Sequence, residues 1–232
     1  MTVMAAKSLS SLLSSLPDLA SYESLYKHFH AHPELSQQEH ETAKTVARQL
    51  RDLQVYDVHT GIGGTGLVGV LKNGSGKTIL LRADMDALPV KEDTGLEYAS
   101  TLTVKDESDG LVKPVMHACG HDMHMTCLLA AADFLANIRD HWKGTLIVLF
   151  QPNEERGGGA NAMVKDGLYN IVPVPDCVLG QHVMAMRAGN IGSRPGTIMT
   201  ASNRFKITLF GRGGHGSMPH VSIHRASVAS FA

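Results

Sequence analysis

The chain has little tryptophan (one residue), few aromatics (5%) and almost no net charge, with 21 Lys and Arg against 22 Asp and Glu. Without a basic excess there is no electrostatic field of the kind that gathers nucleic acid. No apolar run reaches the ~18 residues that would read as a membrane helix, so a membrane-spanning role is excluded. The N-terminal stretch MTVMAAKSLSSLLSSLPDLA has one lysine and apolar residues broken up by serines. It lacks the compact apolar centre of a secretory signal and reads as an amphipathic lead-in helix, an organelle-targeting segment being the other reading. Only three cysteines are present, Cys119, Cys127 and Cys177. An odd number without framework spacing argues for reduced thiols and a cytoplasmic protein. What is abundant is histidine, thirteen in 232 residues, much of it clustered beside Gly, Cys, Asp or Glu.

Along the chain, 22–31 reads as helix. Ser36-Gln-Gln-Glu39 has the form of a capping box. It opens a helix with Ala43, Val46, Ala47, Leu50 and Leu53 on one face. Two strands, 66–71 and 78–82, are expected to be joined by the Asn73-Gly74 turn. Residues 91–113 read as loop, 123–138 as an apolar helix, 144–150 as a buried strand, 160–168 as a short helix and 177–180 as a further strand. Strands alternating with helices predict an α/β layered domain. From Ser202 the pattern changes to RFKITLF followed by the glycine-rich GRGGHGSMPH. This places a domain boundary there, giving 1–201 and 202–232.

Two nucleotide-like patterns fail on context. Gly61-Ile-Gly-Gly-Thr-Gly66 matches G-x-G-x-x-G, but the strand-like LVGVL follows where a helix N-terminus would be needed. Gly74-Ser-Gly-Lys-Thr78 resembles the end of a phosphate loop, yet Leu71 stands where the first glycine belongs. Both read as turns between strands.

The chemistry gathers where strands end, the place where sites form in open α/β sheets. Asp84 and Asp86 lie two apart as strand 78–82 runs out, so they can share a side. Either could bind a metal or hold a ligating histidine in its tautomer. In HACGHDMH, Cys119 and His121 flank Gly120 before a helix, with His117 and His124 close by. A helix N-terminus favours a thiolate, and thiolate with imidazole suits zinc or a similar metal. Glu154 and Glu155 follow a buried strand and Pro152. Such a pair can divide the tasks of ligand and base between them. His182 stands at the end of strand 177–180, and His215 in the glycine turn. Each segment alone also reads as capped strand ends, loop histidines or a surface acidic pair; the set is what points to a site.

Together HAHPELSQQE, LRADMDALP, MHACGHDMH, FQPNEE, GQHV and GRGGHGSMPH, in that order over about 28–220, resemble the metal-dependent aminoacylase-like amidohydrolases that include hippurate hydrolases and indoleacetyl-amino-acid hydrolases. The resemblance implies a di-metal exopeptidase-like catalytic α/β domain followed by the start of an α+β lid, through which such enzymes form homodimers. It implies two divalent metals held by Cys119, His121, Glu155 and His182, with zinc or manganese expected and cobalt or nickel compatible. Glu154 would be general base, Asp86 a supporting carboxylate, and His215 a lid histidine stabilising the oxyanion. The substrate would be a small N-acyl amino acid, with a di-metal dipeptidase as the competing enzyme class. A non-catalytic product that binds metal or pairs with a full-length relative is the second reading overall, and the dipeptidase the third.

The sequence departs from the family pattern after MPHVSI. Relatives continue past the lid and supply a further histidine ligand, whereas this sequence runs HRASVASFA to Ala232. The expectation is a C-terminally truncated chain with an open sheet edge, poor solubility and little activity.

Overall fold

The computed structural model describes residues 12–199 together with Thr208, Phe210 and Ser217. The chain divides into two compact units, Met1–Ala185 and Met186–Ala232. The elements below belong to the first.

Helix α1 spans Leu19–Ala31 and is capped by the Asp18 carboxylate, which accepts from the Ala20 amide. Helix α2 spans His40–Asp52 and buries Val46, Ala47 and Leu50, the stripe read from the sequence. Strands β1 (Asp57–Ile62), β2 (Gly66–Asn73) and β3 (Thr78–Asp84) follow. A two-stranded hairpin of β4 (Thr103–Lys105) and β5 (Val112–Pro114) interrupts the segment expected to be loop. Helix α3 then runs from His121 to Asn137, and β6 from Gly144 to Gln151. The short helix expected at 160–168 is two helices, α4 (Gly159–Lys165) and α5 (Leu168–Ile171), before β7 (Cys177–Gly180).

The five-stranded sheet has the order β1-β2-β6-β3-β7. The turn after Asn73 joins β2 to β3 as expected, but the two strands do not pair with each other. The chain does reverse after Asn73, but β6 lies between the two strands, antiparallel to β2 and parallel to β3. A turn signal reports only the reversal. The neighbouring slot goes to GTLIVLFQ, a nearly continuous apolar run that needs cover on both faces. Strand β1 escaped sequence reading because it is an edge strand, largely open to solvent, with Asp57, His59 and Thr60 in its six residues. It closes the 61–66 pattern into a β-hairpin with Ile62 opposite Gly66, so the rejected nucleotide loop is indeed a turn.

Side-chain alternation along β6 divides the core. Leu146, Val148 and Phe150 face Phe29, Val46, Leu50, Met125 and Leu129 of the three longer helices. Ile147 and Leu149 face Met163 and Leu168 of α4 and α5. The result is a three-layer α/β/α arrangement. Among the described residues no helix is long and apolar enough to cross a membrane.

Register is what positions the site. Asp84 pairs with Gln151 and Arg82 with Gly180, so the three parallel strands end nearly level. The segments leaving them carry Asp86, Glu154 with Glu155, and His182, and the start of α3 brings Cys119 and His121 to the same rim.

Candidate metal centre

His121 is the hub. It is fully buried, and its Nδ1 lies 2.8 Å from the Asp86 carbonyl oxygen, with the Asp86 carboxylate farther off at 3.4 Å. The carbonyl can only accept, so Nδ1 carries a proton, and Nε2 is the nitrogen that presents a lone pair when the ring is neutral; against its burial, Asp86, Asp84 and Glu155 raise the pKa of His121 and favour a second proton there. Among the described residues that buried Nε2 has no hydrogen-bond partner, and it stands 3.9 Å from both Glu154 Oε2 and Glu155 Oε1. His182 is arranged alike. Its Nδ1 donates to the Val183 carbonyl at 2.7 Å, and its Nε2 faces Cys119 Sγ at 3.4 Å. Cys119, His121 and His182 thus bring one donor atom each within 4.8 Å of one another, as do His121, Glu154 and Glu155. A third group, Asp84, His121 and His124, meets the same spacing. There, however, Nε2 of His124 already accepts the Val183 amide at 2.9 Å, and Asp84 is paired with Arg82.

The field at this rim is negative. Asp84, Asp86, Glu154 and Glu155 surround His121. Burial pushes Asp84 up to about 6 despite Arg82. Burial also raises Glu155, against the pull of His121. Asp86 is held below the usual range because hydrogen bonds from His121, Ser36 and the loop amides outweigh its burial. The thiolate expected at Cys119 is opposed by its protein surroundings and would need a bound cation to form. Burial and the neighbouring Glu155 and Glu154 push the thiol up to about 12. Burial and adjacent full charges here act against the partial charge of the helix N-terminus. Burial and neighbouring imidazoles lower His124 to about 4, which leaves it neutral at pH 7.

Sulfur, imidazole and carboxylate donors in a negative, partly buried pocket, with an orphaned imidazole nitrogen at its centre, fit a divalent transition metal. Of the residues singled out from the sequence, Asp86, Cys119, His121, Glu154, Glu155 and His182 all meet here. His215 lies outside the described residues.

Several supporting residues could not be read as such. The capping box expected at residues 36–39 does not form. The Glu34 carboxylate caps α2 instead, accepting from the Glu41 and Thr42 amides at 3.1 and 2.8 Å. Ser36 Oγ donates to Asp86 at 2.6 Å, and Glu39 is buried elsewhere. His124 is a strut that holds the chain beyond β7, packing its ring 4.6 Å from that of His182. Gly120, at φ 78, lets the chain turn into α3; a Cβ there would collide with Val183.

Residues 80–230 match the peptidase family M20/M25/M40. The chain is 46% identical to the hippurate hydrolase of Campylobacter jejuni over 85% of its length, covering 49% of that protein. It is 45% identical to thermostable carboxypeptidase 1 of Saccharolobus solfataricus, over 84% of this chain and 47% of the other. Among solved structures, the Bacillus subtilis YxeP protein, a dinuclear metal-binding peptidase of the M20 family, superimposes with a TM-score of 0.61 at 34% identity, covering 70% of this chain and 42% of that one. The chain belongs to the peptidase M20 family, and it spans about half the length of the curated relatives it matches.

Proposed function

We propose that this chain provides the metal-binding half of an amidohydrolase that cleaves N-acyl amino acids. The observation that carries the reading is the convergence of Cys119, His182 and the Glu154–Glu155 pair on the Nε2 of His121, which has no partner among the described residues. In this reading two divalent ions, zinc or manganese, are held by Cys119, His121, Glu155 and His182. When bound, they polarise the amide carbonyl and acidify the attacking water. Glu154, on the same turn and the more exposed of the pair (41% against 17%), takes the proton of that water and passes it to the departing amine. Asp86 fixes the ring of His121 and, by accepting from the Glu155 amide at 2.9 Å, the turn as well. His215 belongs to a lid and dimerisation segment beginning at residue 202 and would face the developing oxyanion. A cytoplasmic location completes the reading.

The name of the hippurate hydrolase relative favours acyl amino acids, and that of the carboxypeptidase relative keeps peptides as the second substrate class. The test is metal content of the purified chain after dialysis, followed by turnover of hippurate and of a dipeptide panel. Zinc or manganese should be retained. Whatever turnover accompanies it should fall at least ~100-fold in Glu154→Gln with the metal still bound. A wild-type chain that retains no metal sinks the proposal. Metal retained without turnover on either class would favour a non-catalytic binding role.

A further inference from the structure

Glu39 is a fully buried carboxylate, and the helix it precedes does not need it, since Glu34 caps α2. A buried carboxylate is costly unless its oxygens are satisfied, and those of Glu39 are satisfied in a particular direction. Oε1 accepts from the Gln37 amide at 2.9 Å and from the Asn153 amide at 2.8 Å; Oε2 accepts from Thr65 Oγ1 at 2.5 Å. Asn153 directly precedes Glu154 and sits at φ 53, a left-handed conformation unusual for a residue other than glycine. Its carbonyl in turn accepts from the amides of Gly158 and Gly159 at 3.2 and 3.1 Å. The backbone of Asn153, which launches the glutamate turn, is therefore held at both its N–H and its carbonyl, and Glu39 is the hold that comes from another part of the chain.

We infer that Glu39 is a positioning residue. By holding the Asn153 amide it fixes the turn that aims Glu154 and Glu155 at His121. Its relevance to a metal rests on the function proposed above, whereas its effect on the turn does not. The segment 34–39 thereby has a division of labour: Glu34 starts the helix, Ser36 orients Asp86, and Glu39 sets the turn.

Amide hydrogen exchange and cobalt titration on the folded chain test this in wild type, Glu39→Ala, Glu39→Gln and Glu34→Ala. Loss of Glu39 should speed exchange of the Glu154 and Glu155 amides about tenfold or more and weaken cobalt binding by a similar factor, with a changed absorption spectrum. Glutamine keeps an acceptor for the two amides and should restore most of both. Glu34→Ala should loosen α2 and lower the melting temperature while leaving the turn amides and the cobalt spectrum as in wild type. Should Glu39→Ala not fold, Glu39→Asp, one methylene too short to reach Asn153, is read in its place with the same expectation. Unchanged turn exchange in a folded Glu39 variant overturns the inference, as does an equal disturbance of the turn by Glu34→Ala. If wild type takes up no cobalt, the metal reading fails and the exchange data still decide the role of Glu39.

Discussion

Strands β6 and β7 both run parallel to β3 and both deliver metal-type ligands from their carboxyl ends, yet they are held very differently. β6 is paired on both sides and buried along nearly its whole length. Among the described residues β7 is paired only with β3, and all four of its residues are exposed, Val178 and Leu179 at 57% and 55%. The difference continues into the ligands. The turn after β6 is fixed by Glu39 at Asn153, by Asp86 at Glu155 and by Asp106 at Arg156. The segment after β7 has His124 as its strut. One side of the candidate centre is thus preorganised by the core, and the other is carried on a bare sheet edge, the kind of surface that ordinarily pairs with or is covered by more protein.

Substitutions in the two strands give the largest expected contrast. Ile147→Ala removes a fully buried side chain at the middle of the sheet and should destabilise the fold by about 2–5 kcal/mol. Leu179→Ala, of similar chemistry on β7, should change stability by no more than about 0.5 kcal/mol. Chemical denaturation of both variants would measure this, and a Leu179 cost equal to that of Ile147 would mean that β7 is covered in solution.

A smaller effect is expected at the strut. His124→Phe keeps an aromatic ring of similar size but leaves the Val183 amide without its acceptor. Metal affinity should drop about tenfold, the lower end for residues that orient a ligand, with little change in melting temperature. The loss should be confined to the His182 side, so a spectroscopic metal probe should keep its carboxylate signature. An affinity equal to wild type would show that His182 is held by its neighbours on β7 alone.

The residues of the candidate site were more legible in the sequence than the topology was. Ligand-type residues lie within a few positions of strand ends, so short motifs such as HACGHDMH and FQPNEE survive reading in one dimension. Strand order is set by which apolar run most needs two covered faces, and nothing local to Asn73-Gly74 reveals that β6 will take the slot between β2 and β3. The roles of Ser36, Glu39 and His124 were hidden for a related reason: each acts on a backbone or side chain between 50 and 114 positions away. Local spacing made Ser36 and Glu39 look like a helix cap. At Cys119 the helix start was legible, whereas the carboxylates that oppose its ionisation come from other strands.

The smallest expected effect concerns how the β4–β5 hairpin is tied to the β6 side. Asp106 is almost completely buried and accepts from Lys113 at 2.8 Å and from Arg156 at 2.8 and 2.9 Å. Hydrogen bonds from Lys113 and Ser108, with Arg156 beside them, hold its carboxyl well below the usual carboxylate range. A carboxylate whose pKa is lower folded than unfolded adds stability above the unfolded value, here near 3.8, and loses it as pH falls through the folded one. Arg156 and Lys113 are each about a quarter exposed, so solvent screening keeps the gain to about 1 kcal/mol. Asp106→Asn should therefore be less stable than wild type by a constant small margin from pH 7 down to about 5, with the two converging as acid protonates Asp106. A margin that instead grew on acidification would mean that Asp106 is not ionised in the folded protein. The hairpin would then be held without that charge, and the contrast between the two sides of the site would be narrower than the hydrogen bonds suggest.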